Sequence, residues 1–396
     1  MISTQQIKDR VHSLQEDLVQ IRRYIHAHPE LSFQEEQTAA YIADLLRSWN
    51  ISFENNVAGH GIVGYIQGNN PDKKRVALRA DIDALPIVEL NEVPYKSMNT
   101  GVMHACGHDV HTTCLLGTVK VLNELKEEFE GTVQFIFQPA EEKLPGGAIK
   151  MIEAGVIDNP RPDAMLGQHV YPELEAGKVG YRKGMYMAST DEITLTIKGK
   201  GGHAAMPDKV DDTVLASAEI IVALQKIVSR KAHPATPSVL SFGKVLADGA
   251  TNVIPSEVLI QGTFRTFDEV WRQQAHQLIT NIAEHTARSM GMQCDAFIDK
   301  GYPYLENDPE VTDLVAESAR EYLGAENVVE LPLRMTAEDF ASFAQRVPAC
   351  FYRLGTGNKQ REIISGLHTP HFDVDESSIE IGTGLMIWNA LKQLSK

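Results

Sequence analysis

Thr132-Val133-Gln134-Phe135-Ile136-Phe137-Gln138-Pro139-Ala140-Glu141-Glu142 is a short apolar run that stops at a proline and ends on two adjacent carboxylates. Its length, its β-branched and aromatic residues and the turn signal after it predict a buried strand from Thr132 to Phe137. Upstream lies a helical stretch from about His111 to Phe129 and, before that, a strand-like run from Arg75 to Ala80. Downstream a third strand is expected from Asp163 to Gly167. Strands alternating with helices predict an α/β domain on a mostly parallel sheet. In an open sheet of that kind ligands bind past the carboxyl ends of the strands, and Glu141, Glu142 and several histidines fall there.

Towards the N-terminus, Ile7, Val11, Leu14, Leu18, Ile21 and Ile25 recur at steps of four and three, which predicts one amphipathic helix ending near Pro29. Ser32 with Glu35 three residues later reads as a capping box that opens a second helix, Glu36 to Trp49. From about residue 190 the order is strand (Glu192 to Lys198), helix (Thr213 to Arg230), strand (Ser238 to Leu246), strand (Val258 to Arg265), helix (Glu269 to Met290), strand (Gln293 to Asp299). That βαββαβ order is the ferredoxin-like arrangement. A helix near Asp308 to Tyr322 and an apolar strand from Ala349 to Leu354 follow it. The expected organisation is therefore one domain made of residues 1–185 and 301–396, with a second, 186–300, inserted into it.

The 396 residues carry a formal net charge of −16, which repels phosphate backbones and favours a small-molecule substrate over a nucleic-acid partner. No apolar stretch approaches the ~20 residues of a membrane span. The segment from Met1 to Gln6 lacks the basic start and apolar core of a signal peptide, so a cytoplasmic protein is expected. Four cysteines without a C-x-x-C pair do not read as a disulfide framework.

One of those cysteines stands out in Met103-His104-Ala105-Cys106-Gly107-His108-Asp109-Val110-His111. Thiolate and imidazole both suit borderline transition metals, and Cys106 and His108, separated by one glycine, can converge if the chain turns there. Glu141 and Glu142 add carboxylates, of which one can bind metal while its neighbour serves as general base. Gln168-His169-Val170 supplies an imidazole at a third strand end, and Gly366-Leu367-His368-Thr369-Pro370-His371 two more. Taken singly, each has an ordinary structural reading: a solvated turn for the two glutamates, a core or loop position for a histidine. Together they point to a metal site.

These motifs resemble the metal-dependent aminoacylase and carboxypeptidase family, in particular its N-acyl amino acid amidohydrolase branch, which includes hippurate and auxin-conjugate hydrolases. The resemblance runs in order through His26-Ala27-His28-Pro29-Glu30, Arg79-Ala80-Asp81-Ile82-Asp83, the His104 to His111 segment, Pro139 to Glu142, Gly201-Gly202-His203-Ala204-Ala205, Asn252-Val253-Ile254-Pro255, Gly262-Thr263-Phe264-Arg265 and Leu367 to Asp373. It implies an α/β, mostly parallel-sheet two-metal hydrolase domain with an inserted ferredoxin-like lid that also forms a homodimer. It implies two divalent ions per subunit (manganese, zinc, cobalt or nickel), bridged by Cys106 and completed by His108, Glu142, His169 and His368, with Glu141 as general acid/base. Other branches carry a His-x-Asp pair where this chain has Asp81-Ile82-Asp83. His108 then replaces the missing imidazole and Asp83 orients a ligand. His104, Asp109 and His111 remain open between orienting and purely structural roles. In the lid, the resemblance makes His203 an oxyanion stabiliser lent to the partner subunit, while Asn252 and Arg265 hold a substrate carboxylate. After Pro207 the chain departs from the usual His-x-Gly-x-Asp-Pro, reading Asp208-Lys209-Val210-Asp211-Asp212-Thr213, which bears on lid shape and substrate preference. The implied reaction is hydrolysis of N-acyl amino acids. Alternatives are a metallo-dipeptidase or carboxypeptidase, a cysteine hydrolase with Cys106 as nucleophile, and a catalytically silent metal-binding protein.

Overall fold

The computed structural model describes residues 2–396, which divide into two compact units. The first joins Met1–Tyr186, Glu306–Leu333 and Asp339–Lys396; the second comprises Met187–Leu305 and Arg334–Glu338.

The first unit is built on an eight-stranded sheet in the order Phe53–Val57, Gly61–Gln67, Thr132–Gln138, Arg75–Asp81, Ala164–Glu175, Ala349–Gly357, Val179–Tyr181, Val328–Glu330. Its four central strands, from Thr132–Gln138 to Ala349–Gly357, are parallel to one another, whereas the first two strands are antiparallel additions at one edge. Every residue of Thr132–Gln138 is buried, as expected of a parallel strand covered on both faces. The helices Gln15–Ala27, His108–Glu124 and Ser377–Ser395 pack on one another, and His108–Glu124 is buried almost all round.

Three local expectations are corrected. The first helix is two, Thr4–Ser13 and Gln15–Ala27, broken at Leu14; Ile7, Val11, Leu18, Ile21 and Ile25 are still buried, so the apolar period survives the break. Ser32 and Glu35 form no capping box. Ser32 Oγ donates to Asp83 Oδ2 at 2.6 Å, and the helix Glu36–Ser48 is instead served by Glu30, whose carboxylate accepts the N–H groups of Gln37 and Thr38. The strand expected to stop at Gly167 continues as Ala164–Glu175, because pairing with Ala349–Gly357 carries it past the end of its other neighbour: Arg79 pairs with Gly167, while His169 pairs only with Arg353. His169 therefore sits on a strand rather than past its end.

The second unit is a four-stranded antiparallel sheet in the order Ser238–Leu246, Glu257–Thr266, Asp191–Lys198, Gln293–Lys300, backed by the helices Thr213–Arg230 and Glu269–Ser289. That is the ferredoxin-like order. Ile193, Leu195, Ile197, Val258, Ile260 and Phe264 alternate inward along the strands and meet Ile220, Leu224, Ile227, Ala275 and Ile279 of the helices in one core. Among the described residues no helix is long and apolar enough to cross a membrane.

Candidate metal centre

The centre is assembled in the first unit from two strand ends, the interior of the strand Ala164–Glu175, one helix start and one loop. Gly107, with φ 80°, turns the chain between Cys106 and the helix His108–Glu124. Its α-hydrogen side faces Val170, where a Cβ would lie 2.4 Å from Cγ2, so both the dihedral and the contact call for glycine. Cys106 Sγ and His169 Nε2 are 3.4 Å apart, and Cys106, His108 and His169 each bring a donor atom within 4.8 Å of the others. Cys106, Glu142 and His368 form a second such group, and His108, Glu141 and Glu142 a third. His368 Nε2 lies 3.2 Å from Glu142 Oε1. Its backbone, at φ 59°, is pinned beside the cysteine by the bond from His368 N–H to the Ala105 carbonyl, 2.8 Å.

Tautomers are set by what each ring touches outside the group. His108 Nδ1 faces the Asp83 carbonyl at 2.8 Å and Asp83 Oδ1 at 3.2 Å, and His169 Nδ1 donates to the Val170 carbonyl at 2.8 Å. In both rings Nε2 is left for the centre, and buried His108 Nε2 has no hydrogen-bond partner. Buried donors left orphaned in this way fit bound cations. His111 differs: Nδ1 meets Asp81 Oδ1 at 2.6 Å and Nε2 accepts the Val170 N–H at 2.8 Å, so it orients its neighbours and has no lone pair to spare. Asp109 belongs to another network, held by Arg22 Nε at 2.8 Å and His26 Nδ1 at 2.7 Å. His104 is fully buried with neither ring nitrogen bonded, and burial drives its pKa down to about 3.

The electrostatics call for positive charge. Burial disfavours the charged form of His108, yet Asp81, Asp83 and Glu142 outweigh it and push the pKa up to about 10. Burial, reinforced by Glu142, Glu141 and Asp81, pushes the Cys106 thiol well above its usual range. A thiol so disfavoured as an anion is a poor nucleophile by itself and becomes a thiolate when a cation compensates it. Asp83 Oδ2 also accepts the Glu142 N–H at 3.0 Å, so one aspartate sets both the His108 ring and the Glu142 backbone. Glu141 is buried, and its Oε1 accepts the Asp339 N–H at 3.3 Å; Asp339 is in turn gripped by Arg79 and Gln138.

Residues 77–387 match the peptidase family M20/M25/M40. The chain belongs to that family. It is similar to the N-acyl-L-amino acid amidohydrolase of Geobacillus stearothermophilus, 42% identical over 312 residues, 78% of this chain and 84% of that one. It is also similar to thermostable carboxypeptidase 2 of Saccharolobus solfataricus, 38% identical over 381 residues, 96% of this chain and 95% of that one. Among solved structures, a dinuclear metal-binding peptidase of the M20 family from Bacillus subtilis superposes with a TM-score of 0.82 at 33% identity, covering 97% of this chain and 99% of that one. The M20 member is thus a metal-dependent hydrolase with a mostly parallel α/β unit and a smaller inserted unit.

The remaining sequence candidates lie in the second unit. His203 is exposed on the two-residue strand Gly202–His203, which pairs with Val253–Ile254, and the Ala204 N–H donates to the Asn252 carbonyl at 2.9 Å. His203 and Asn252 are therefore neighbours. Arg265 is not: the Gly199 N–H bonds the Ser256 carbonyl at the start of Glu257–Thr266, and Arg265 stands at that strand's far end. The eight residue-to-residue steps from Glu257 to Arg265 span roughly 27 Å. The departure after Pro207 is locally satisfied: Asp211 Oδ2 accepts the Lys200 N–H at 2.7 Å, and Asp212 caps the helix Thr213–Arg230 through the Leu215 N–H at 2.9 Å. Sequence reading gave Ser32 and Glu35 a helix-capping role and assigned none at the site to Arg79, Gln138 or Asp339, because their partners here are far away in sequence.

Proposed function

We propose that this chain hydrolyses the amide bond of N-acyl amino acids, releasing a carboxylic acid and a free amino acid, with two divalent ions held by Cys106, His108, Glu142, His169 and His368. The observation that carries the reading is the convergence of thiol, imidazole and carboxylate donors around Cys106, with His108 Nε2 buried without a hydrogen-bond partner and Glu141 beside them. Similarity to an N-acyl-L-amino acid amidohydrolase along 78% of the chain supports the substrate class. When bound, the ions supply Lewis-acid chemistry that acidifies water and polarises the scissile carbonyl. Glu141 takes the proton of the attacking water and returns it to the leaving amine, while the Asp339 N–H keeps its carboxylate in place. Asp83 orients His108 through Nδ1.

His203 donates to the oxyanion, and Asn252 and Arg265 hold the substrate carboxylate. Because Asn252 lies before the start of the strand Glu257–Thr266 and Arg265 near its far end, a carboxylate held by both needs two copies of the chain. The protein is therefore a homodimer through the inserted unit, His203 and Asn252 serving the partner subunit's site. Manganese, zinc, cobalt or nickel suits the donor set, and the cytoplasm keeps the four free, buried cysteines reduced. Reconstitution with each metal, followed by assay on N-acetyl and N-benzoyl amino acids and on free dipeptides, tests the reading. Turnover of free dipeptides alone would move it to a dipeptidase, and full turnover by metal-stripped protein would end it.

A further inference from the structure

We propose that Glu35 is a positioning residue for Glu141 and Glu142: it clamps the backbone turn that sends these adjacent side chains into different roles. The inference rests on the roles assigned to those two glutamates above. Glu35 is wholly buried at the start of the helix Glu36–Ser48, but makes no capping bond to that helix. Its Oε1 accepts instead from the Phe33 N–H at 3.0 Å and, 105 residues away in sequence, from the Ala140 N–H at 2.8 Å.

Ala140 has φ 54°, a left-handed conformation that costs a non-glycine residue ~1–2 kcal/mol and persists only where its surroundings hold it. The other side of the same residue is also tied, its carbonyl accepting the Gly147 N–H at 2.8 Å. Two residues on, the Glu142 N–H goes to Asp83 Oδ2, the oxygen to which Ser32 donates. One short segment, Ser32 to Glu35, therefore fixes the peptide groups on both sides of Glu141, directly at Ala140 and through Asp83 at Glu142. The bond to Ala140 needs an acceptor, not a charge. Burial, with the Asp83 carboxylate adding to it, pushes the Glu35 pKa up to about 7, and Oε2 has no hydrogen-bond partner. A glutamine offers the same acceptor on the same length of side chain.

The test compares full-length, metal-reconstituted E35A and E35Q with the parent, E141Q and E142A serving as controls. Steady-state kinetics on an N-acyl amino acid, metal content and thermal unfolding are measured on each. Misplacing a reacting group by about 1 Å can cost ~10²-fold, so E35A should lose about 10- to 100-fold in kcat with KM within about twofold, while E35Q stays within about threefold of the parent. If E35A does not fold, E35D replaces it, because a side chain one methylene shorter withdraws the acceptor from Ala140 and carries the same expected loss. An E35A or E35D enzyme within threefold of parental kcat beside an inactive E141Q overturns the clamp alone. So does an E35Q enzyme as impaired as E35A. An active E141Q overturns the clamp together with the roles beneath it.

Discussion

Replacing Gly107 with alanine should damage folding and metal retention together, and the structure sets the scale of both. Its φ of 80° lies in the left-handed region, which costs an L residue ~1–2 kcal/mol. The new Cβ would meet Val170 Cγ2 at 2.4 Å and Cγ1 at 3.1 Å. Val170 has little room to withdraw, since it is fully buried, its N–H is bonded to His111 Nε2 and its carbonyl to His169 Nδ1. Overpacking of this kind costs ~1–3 kcal/mol, so G107A should lose about 2–5 kcal/mol in all. Any yielding by Val170 moves His169 away from Cys106, which should lower bound metal as well. Urea unfolding and metal analysis on G107A, V170A and the double variant separate the two costs. V170A makes room, so the double variant should be about 1–3 kcal/mol more stable than the sum of the singles, with the dihedral cost left uncorrected. A G107A protein with the parental unfolding midpoint and full metal, or strictly additive singles, would refute the packing argument.

Chelation should abolish hydrolysis, and manganese, zinc, cobalt or nickel should restore it; retained turnover in verified metal-free protein contradicts the proposed donor set. Glu142→Ala should lose metal and activity together, whereas Glu141→Gln should keep its metal and fall by ~10²–10⁴-fold in kcat, with metal analysis beside kinetics deciding between them. His203→Ala and Glu141→Ala, each inactive alone, should regain activity when mixed and reassociated, and verified heterodimers that stay inactive would confine His203 to its own chain. Burial alone would raise the Asp191 pKa, but His276, at 2.7 Å, and Arg272 outweigh it and hold the carboxylate below its ordinary range. That stability is present above the unfolded pKa of about 3.9 and lost as pH falls through the folded value. Asp191→Asn should therefore cost roughly 3–5 kcal/mol near neutrality and flatten the acid limb of the second unit's unfolding, read from Trp271 fluorescence.

The inserted unit was the most legible part of the sequence. Its strands alternate apolar inward residues with period two, and Asp212 and Asp268 mark the helix starts, so element limits agree within a residue or two. The first unit was legible where strands are buried on both faces, as in Thr132–Gln138, and not where they are edge additions. Phe53–Val57 carries Glu54, Asn55 and Asn56 outward and offers no apolar run to read. Ser32 and Glu35 match a capping box because local spacing cannot reveal that Asp83 and Ala140, far away in sequence, compete for their oxygens. The candidate donors were legible because thiol, imidazole and carboxylate in one arrangement are chemically unusual. Their supports were missed because an arginine or glutamine within a strand is not.

Donor proximity alone does not decide which histidines bind metal. Asp81, His108 and His111 lie as close together as Cys106, His108 and His169, with donor atoms within 4.8 Å in each group. In the first group Asp81 already receives Arg79 Nη1 at 2.7 Å and His111 Nδ1 at 2.6 Å, and His111 spends Nε2 on the Val170 N–H. An ion there would have to break a buried carboxylate pair and orphan a strand N–H. In the second group the outward nitrogens are tied to Asp83 and Val170, which leaves Nε2 of both rings turned towards the thiol at no such cost. His111 thereby fixes the strand on which His169 is carried, and its part in the candidate centre is to set the position of His169.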